Sequence, residues 1–171
     1  GTYKPPGHLF HITQVVSADQ GLTLVENARL FALVGLAMGD AGIVAWDMKY
    51  ATDIDLWRPV SAVRAADTDG NPLTAEDPEW LPLNAFTPPF PAYVSGHATF
   101  AAAHAGVMAE FFGTDDVTFT VDSEDPYYNA LPVHGPRTFQ TFSEAAWENA
   151  LSRMYLDVHF RFDAVDGNLA G

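Results

Sequence analysis

The chain holds only eight Lys and Arg among its 171 residues, against 22 Asp and Glu. A protein this sparing with cations tends to place them where an anion needs them. Three of the eight sit beside other groups capable of chemistry. Lys49 precedes Arg58-Pro59, and Arg153 opens the run Ser152-Arg153-Met154-Tyr155-Leu156-Asp157-Val158-His159, with Asp163 four residues further on. A guanidinium matches an oxyanion bidentately, whereas an ammonium acts as a compact point charge. Three such cations converging on one point would neutralise a tetrahedral oxyanion.

Ser95-Gly96-His97 carries the complementary donors. A small polar residue and a glycine directly before a helix present free backbone N–H groups to an anion. Taken alone, Ser-Gly-His reads as a plain N-cap and His159 as a core histidine between Val158 and Phe160, while Arg58 reads equally as a surface arginine. Prolines 88, 89 and 91 stiffen the approach to Ser95 and strengthen the anion reading. Six positions separate Arg153 from His159, which is the wrong spacing for one helical face. A break in the helix between them is therefore required if both are to meet one ligand. Asp157, two residues from His159, carries a charge that would raise that histidine's pKa or oppose an anion.

The elements that must position these groups are helical. A first helix spans about residues 7–21. Thr23-Leu24-Val25-Glu26 has the form of a capping box and opens a long helix from about Leu24 to Tyr50. Its apolar residues run almost all round, which predicts a helix inside a bundle. Residues 51–94 hold most of the prolines and form a long structured loop, the kind that carries function. Within it, Asp67-Thr68-Asp69-Gly70-Asn71 reads as a turn, because Pro72 and Pro78 spoil a calcium loop. A further helix runs from about Gly96 to Phe112 and stops at Gly113. Residues 117–121 alternate as one short strand. Thr141 to Glu144 is a second capping box, opening a helix to about Tyr155, and residues 163–171 form a loop or helix start. The class is all-α, a helical bundle with long loops and at most one short β-hairpin.

Composition bounds the function further. Hydrophobic residues make up 48% and charged residues 18% of the chain, an ordinary globular balance. The formal net charge of −14 repels nucleic acid and anionic membranes, so neither is expected as a partner. The apolar stretch 30–45 is interrupted by Gly35, Gly39 and Asp40 and reads as a core helix of a soluble protein. There is no cysteine, which excludes disulfides and thiolate metal sites. No signal peptide is visible and the chain starts without Met, so localisation stays open, secretion and the periplasm included.

Taken in order, the clusters resemble the vanadium-dependent haloperoxidase and type 2 phosphatidic acid phosphatase superfamily. Its third motif is met by Ser152, Arg153, His159 and Asp163. Its second is met by Ser95-Gly96-His97, with Val94 where a proline is usual. Its first is present as Lys49 and Arg58-Pro59, with eight intervening residues instead of six, which implies a bulge. The resemblance runs from about residue 5 to the end and is to the bacterial haloperoxidase-like branch. It implies one catalytic domain over residues 1–171, forming the C-terminal portion of a longer family domain with additional N-terminal helices. It further implies that Lys49, Arg58, Ser95, Gly96 and Arg153 bind vanadate, or phosphate in the same site. His159 would be the axial ligand to vanadium, His97 the general acid–base, Lys49 the group that polarises the peroxide, and Asp163 a supporting residue. Trp46 and Phe90 fall where chloride-accepting members have aromatic halide-site residues.

Three functions remain open on these residues. The favoured one is a haloperoxidase oxidising halide with hydrogen peroxide, with a small organic acceptor downstream. A soluble acid phosphatase with a phosphohistidine intermediate is the second, and a non-catalytic structural or interaction subunit the third. A homo-oligomer is compatible with each. His104, two turns after His97 and among alanines, is expected to be a packed, hydrogen-bonded histidine.

Overall fold

The computed structural model describes residues 5–83, 86–122 and 135–171. Its elements are α1 (Pro5–Asp19), α2 (Leu24–Tyr50), α3 (Pro59–Arg64), a 3-10 turn (Ala66–Thr68), α4 (Gly96–Phe112), β1 (Phe119–Val121), β2 (Arg137–Phe139), α5 (Phe142–Tyr155) and α6 (Arg161–Ala170). The two strands pair antiparallel, with Phe119 opposite Phe139. The fold is thus all-α with one small ladder, as the sequence implies.

Local signals explain the boundaries. Thr23 accepts from the Glu26 backbone N–H while the Glu26 carboxylate accepts from the Thr23 N–H, a reciprocal capping box. Thr141 caps α5 by accepting from the Glu144 N–H, but the expected box is not closed: the Glu144 carboxylate accepts from the Gln140 N–H instead. Ser95 caps α4 by accepting from the Ala98 N–H, and Gly113 ends it at φ 73°, a left-handed conformation that glycine adopts freely. The loop between α2 and α4 contains a helix that the sequence reading omitted: Pro59 stands at the first position of α3, where its missing N–H has no partner to lose.

Helix α4 is the central element, packed against α2, α5, α6 and α1. Small residues on its buried faces, such as Ala98, Ala101 and Ala105, permit those close approaches. The core joins Leu9, Val16, Leu30, Val34, Met108 and Phe142. Helix α2 departs from expectation. Its buried residues form one stripe, Leu30, Val34, Met38, Ala41, Ala45 and Lys49, while Leu36 and Ile43 are 68% and 70% exposed. Among the described residues nothing packs on that outer face, so a helix apolar all round lies at the surface of this bundle. By length and composition α2 also passes as a membrane span, a test that core helices of soluble proteins pass too.

Candidate functional site

The three cation-bearing segments meet around the start of α4. Lys49 lies in the last turn of α2, the approach segment Phe90–Ser95 crosses over it, and α5, α6 and their connection close the other side. The break expected between Arg153 and His159 is present. Helix α5 stops at Tyr155, Asp157 turns the chain at φ 57°, and the Val158 N–H returns to the Arg153 carbonyl at 3.2 Å. Asp157 therefore serves the reversal. The carboxylate on His159 is that of Asp163, at 2.7 Å from Nδ1. His159 has its pKa lowered, by burial first and then by Arg58, Lys49, Arg153 and His97. The expectation that Asp157 would raise it is corrected: burial of the ring, followed by the facing cations, sets the direction.

The hydrogen bonds of His159 define its tautomer. Arg58 Nη1 lies 2.9 Å from Nε2, and a guanidinium can only donate. Nε2 therefore carries the lone pair, and Nδ1–H donates to Asp163 Oδ2. Arg58 also donates from Nε to the Phe90 carbonyl and from Nη1 to the Val158 carbonyl. Asp163 is wholly buried, and burial raises its pKa against the opposing pull of Arg58 and Lys49.

Lys49 is 1% exposed. Its ammonium donates to the carbonyls of Pro91, Ala92 and Val94, which uses all three of its N–H groups. Burial first, and then Arg58, lowers its pKa to about 7. Helix α2 is regular through Tyr50, with Ala51 N–H bonded to Asp47. The extra residues of the stretched first motif thus sit in the connector after α2, where Asp55 has φ 33°, not in a helical bulge.

Both aromatic candidates are in place. The Trp46 and Phe90 rings are 5.4 Å apart. Lys49 Nζ lies 5.1 Å, and Arg58 Cζ 4.9 Å, from the centre of the Phe90 ring, both within cation–π range. A side chain at Gly96 would meet the Trp46 indole at 3.4 Å, so the glycine lets that ring lie against the turn. His97 stands next to these cations. Its pKa is pushed down to about 3 by burial, then by Arg153, Arg58 and Lys49. His104 is a packed histidine, as expected. Thr13 Oγ1 donates to the Leu9 carbonyl and lies 2.9 Å from His104 Nε2, so the ring nitrogen is the donor.

One contributor has no counterpart in the sequence reading. A Cβ at Gly167 would lie 2.7 Å from the Ser95 carbonyl, and one at Gly171 would lie 2.1 Å from that of Thr99. Four residues apart, the two glycines let α6 descend onto α4. The Asp163 carbonyl then accepts from the Ser95 N–H at 2.9 Å. The signal was legible as a Gly-x-x-x-Gly spacing ending the chain.

Comparison with known proteins identifies the family and the fold. Residues 29–171 match the family model described as the VCPO second helical-bundle domain. The chain belongs to the vanadium haloperoxidase family. It is 36% identical to vanadium chloroperoxidase of Curvularia inaequalis over 86% of this chain and 30% of that protein. It is 29% identical to the vanadium-dependent bromoperoxidase of Ascophyllum nodosum, over 74% of this chain and 23% of that protein. Among solved structures, a bacterial vanadium-dependent iodoperoxidase superposes with a TM-score of 0.82 at 32% identity, covering 98% of this chain and 37% of the other. A bacterial vanadium-dependent chloroperoxidase at 22% identity and TM-score 0.71 shares the fold. This haloperoxidase-family chain therefore spans between 23% and 38% of the length of these proteins.

The donor set fits the vanadate that the family name implies. Arg153 Nε is buried without a partner. The first N–H groups of α4 have no intrahelical acceptor. Ser95 accepts at its hydroxyl and keeps its own proton to donate. With one lone-pair nitrogen on His159, the arrangement is one of donors and cations around a single ligating atom.

Proposed function

We propose that this chain carries the oxyanion site of a vanadate-dependent haloperoxidase, which oxidises halide with hydrogen peroxide to hypohalous acid. The observation that supports it most is the tautomer of His159. Asp163 holds the ring proton on Nδ1 and leaves the Nε2 lone pair facing Arg58. A neutral nitrogen ligand oriented by a buried carboxylate is the arrangement that metal sites use.

Arg58, Arg153, Ser95 and the Gly96 N–H would hold vanadate, with His159 Nε2 as its nitrogen ligand. When bound, vanadate supplies a Lewis-acidic centre that activates hydrogen peroxide toward halide. The fixed cations and backbone donors preorganise charge for that oxyanion, usually the largest catalytic contribution. Lys49 adds charge from behind the 91–94 segment, and reaches the anion or the peroxide by giving up one of its carbonyl bonds. His97 is neutral while three cations face it. An anion between them offsets those charges and restores its basicity, so His97 takes and returns protons when the pocket is loaded. Trp46 and Phe90 offer a polarisable aromatic edge for halide beside the cations.

A second reading uses the same geometry. His159 Nε2 is equally placed to attack a phosphomonoester, with His97 protonating the leaving alcohol. The Trp46–Phe90 pair and the peroxidase relatives favour the first. The chain reconstituted with orthovanadate should brominate a phenolic dye with peroxide, and His159→Ala should abolish it. Hydrolysis of p-nitrophenyl phosphate without bromination would replace this reading by the phosphatase. Neither activity, with no vanadate binding by calorimetry, would leave a non-catalytic subunit.

A further inference from the structure

The outer face of α2, on which no described residue packs, carries a regular pattern. Val25, Leu36, Ile43 and Tyr50 are each more than three-fifths exposed. Together with Arg29, Ala32, Gly39 and Trp46, which are exposed as well, they recur at alternating intervals of four and three residues. That is the spacing of a helix–helix seam, and it runs the length of α2, about 38 Å at 1.5 Å per residue. The buried stripe from Leu30 to Lys49 occupies the opposite side of the helix. Large and small side chains alternate along the seam. An added Cβ at Gly39 meets nothing within 4 Å, so the notch there is open.

A second copy of α2 fits this seam when the two helices run antiparallel about a two-fold axis between Ala37 and Met38. Each contact then occurs twice, as two-fold symmetry requires. Leu36 faces the partner's Gly39, Ile43 faces the partner's Ala32, and Tyr50 faces the partner's Val25. Trp46 faces the partner's Arg29, a cation able to stack on the indole and to pair with the neighbouring Asp47 carboxylate. Every large central side chain thus enters a notch, and the axes can approach to the close end of the usual range of about 8–10 Å. A parallel pair would set Leu36 on Leu36 and Gly39 on Gly39, alternating clash with gap. The antiparallel arrangement also opposes the two helix dipoles.

We infer that this chain forms a two-fold dimer through the outer face of α2. The inference does not depend on the chemistry of the oxyanion pocket. A footprint about 38 Å long and about 12 Å wide buries roughly 900 Å² over both copies, near the lower limit for a specific interface. That area corresponds to a dissociation constant on the order of 10–100 µM rather than to a permanent dimer. Charge opposes the association. Glu26, Asp40 and Asp47 are exposed along one flank of the seam, with Arg29 as the cation among them, and each copy carries a net charge of −14. Salt screens that repulsion, so the dimer tightens as ionic strength rises.

Sedimentation equilibrium of the whole chain from about 1 µM to about 1 mM tests this. The mass should rise from monomer to dimer and stop there, with affinity increasing about threefold or more between about 0.05 and about 0.5 M NaCl. Leu36→Glu, at a position exposed in the monomer, should weaken dimerisation about tenfold or more by burying a charge. Its circular dichroism and its Tm at low concentration should stay those of the parent chain. The chain has no cysteine, so engineered thiols report the register. Ala32→Cys and Ile43→Cys, mixed under oxidation, should join to each other, and neither should cross-link with itself. Variants that each pair with themselves overturn the antiparallel seam. A dimer indifferent to Leu36→Glu, or growth beyond two copies, overturns the interface. A chain monomeric at every concentration also overturns it and leaves the face to a different helix.

Discussion

The His159 ring is held from both sides, by Asp163 on Nδ1 and Arg58 on Nε2. Asp163→Asn keeps the shape and removes the charge that makes the ring a strong ligand. Vanadate affinity measured by calorimetry should fall by roughly 10–100-fold, as for other groups that orient a metal ligand; unchanged affinity would mean that Arg58 alone orients the imidazole. Lys49 predicts a pH dependence. Its folded pKa of about 7 is below its ordinary 10.5, so between these values the unfolded chain binds more protons. Stability should therefore rise with pH from about 7 toward 10.5, the burden of the buried charge being full below 7. Urea titrations across that range should show the rise, and Lys49→Met should flatten it. The type and order of Lys49, Arg58, Ser95, His97, Arg153 and His159 were legible along the chain. The three carbonyls that Lys49 serves were not, because backbone acceptors leave no mark in the sequence.

At the scale of elements, the site depends on how closely α6 approaches α4. Gly167→Ala places a Cβ 2.7 Å from the Ser95 carbonyl, backbone that cannot yield as a flexible side chain would. The expected cost is about 1–3 kcal/mol, the range for overpacking. It should be read as a lower Tm together with weaker vanadate binding. Gly39→Ala is the control, since nothing lies within 4 Å of the added carbon. It should leave binding unchanged and stabilise α2 by up to about 1 kcal/mol through helix propensity. Equal effects of the two substitutions would mean that the α4–α6 contact does not position Ser95. The capped helices α2, α4 and α5 were readable because their signals are local. The exposure of α2 was not, since an apolar surface looks the same whether or not a neighbour covers it.

For the whole molecule, a net charge of −14 surrounds a pocket that three cations make positive. At low salt the Debye length is about 30 Å at 0.01 M, and an approaching anion feels the whole acidic surface. At 0.15 M it shrinks to about 8 Å, and only the pocket counts. The association rate constant for vanadate should therefore rise with ionic strength over this range, the reverse of attractive steering. Stopped-flow binding would check it, and a rate that falls with salt would show that the local field extends beyond the pocket mouth.

By itself the sequence determined the helical class, the helix caps, the break needed after Arg153 and the set of cations available to an anion. Each follows from residue type at short range, where sterics and local hydrogen bonds act. The tertiary structure alone decided which nitrogen of His159 carries the lone pair, that Lys49 is bound to backbone carbonyls, that the Asp163 carboxylate rather than that of Asp157 faces His159, and that a cavity opens beside His97. These depend on contacts between segments distant along the chain, and such distances exist only once α6 has packed on α4.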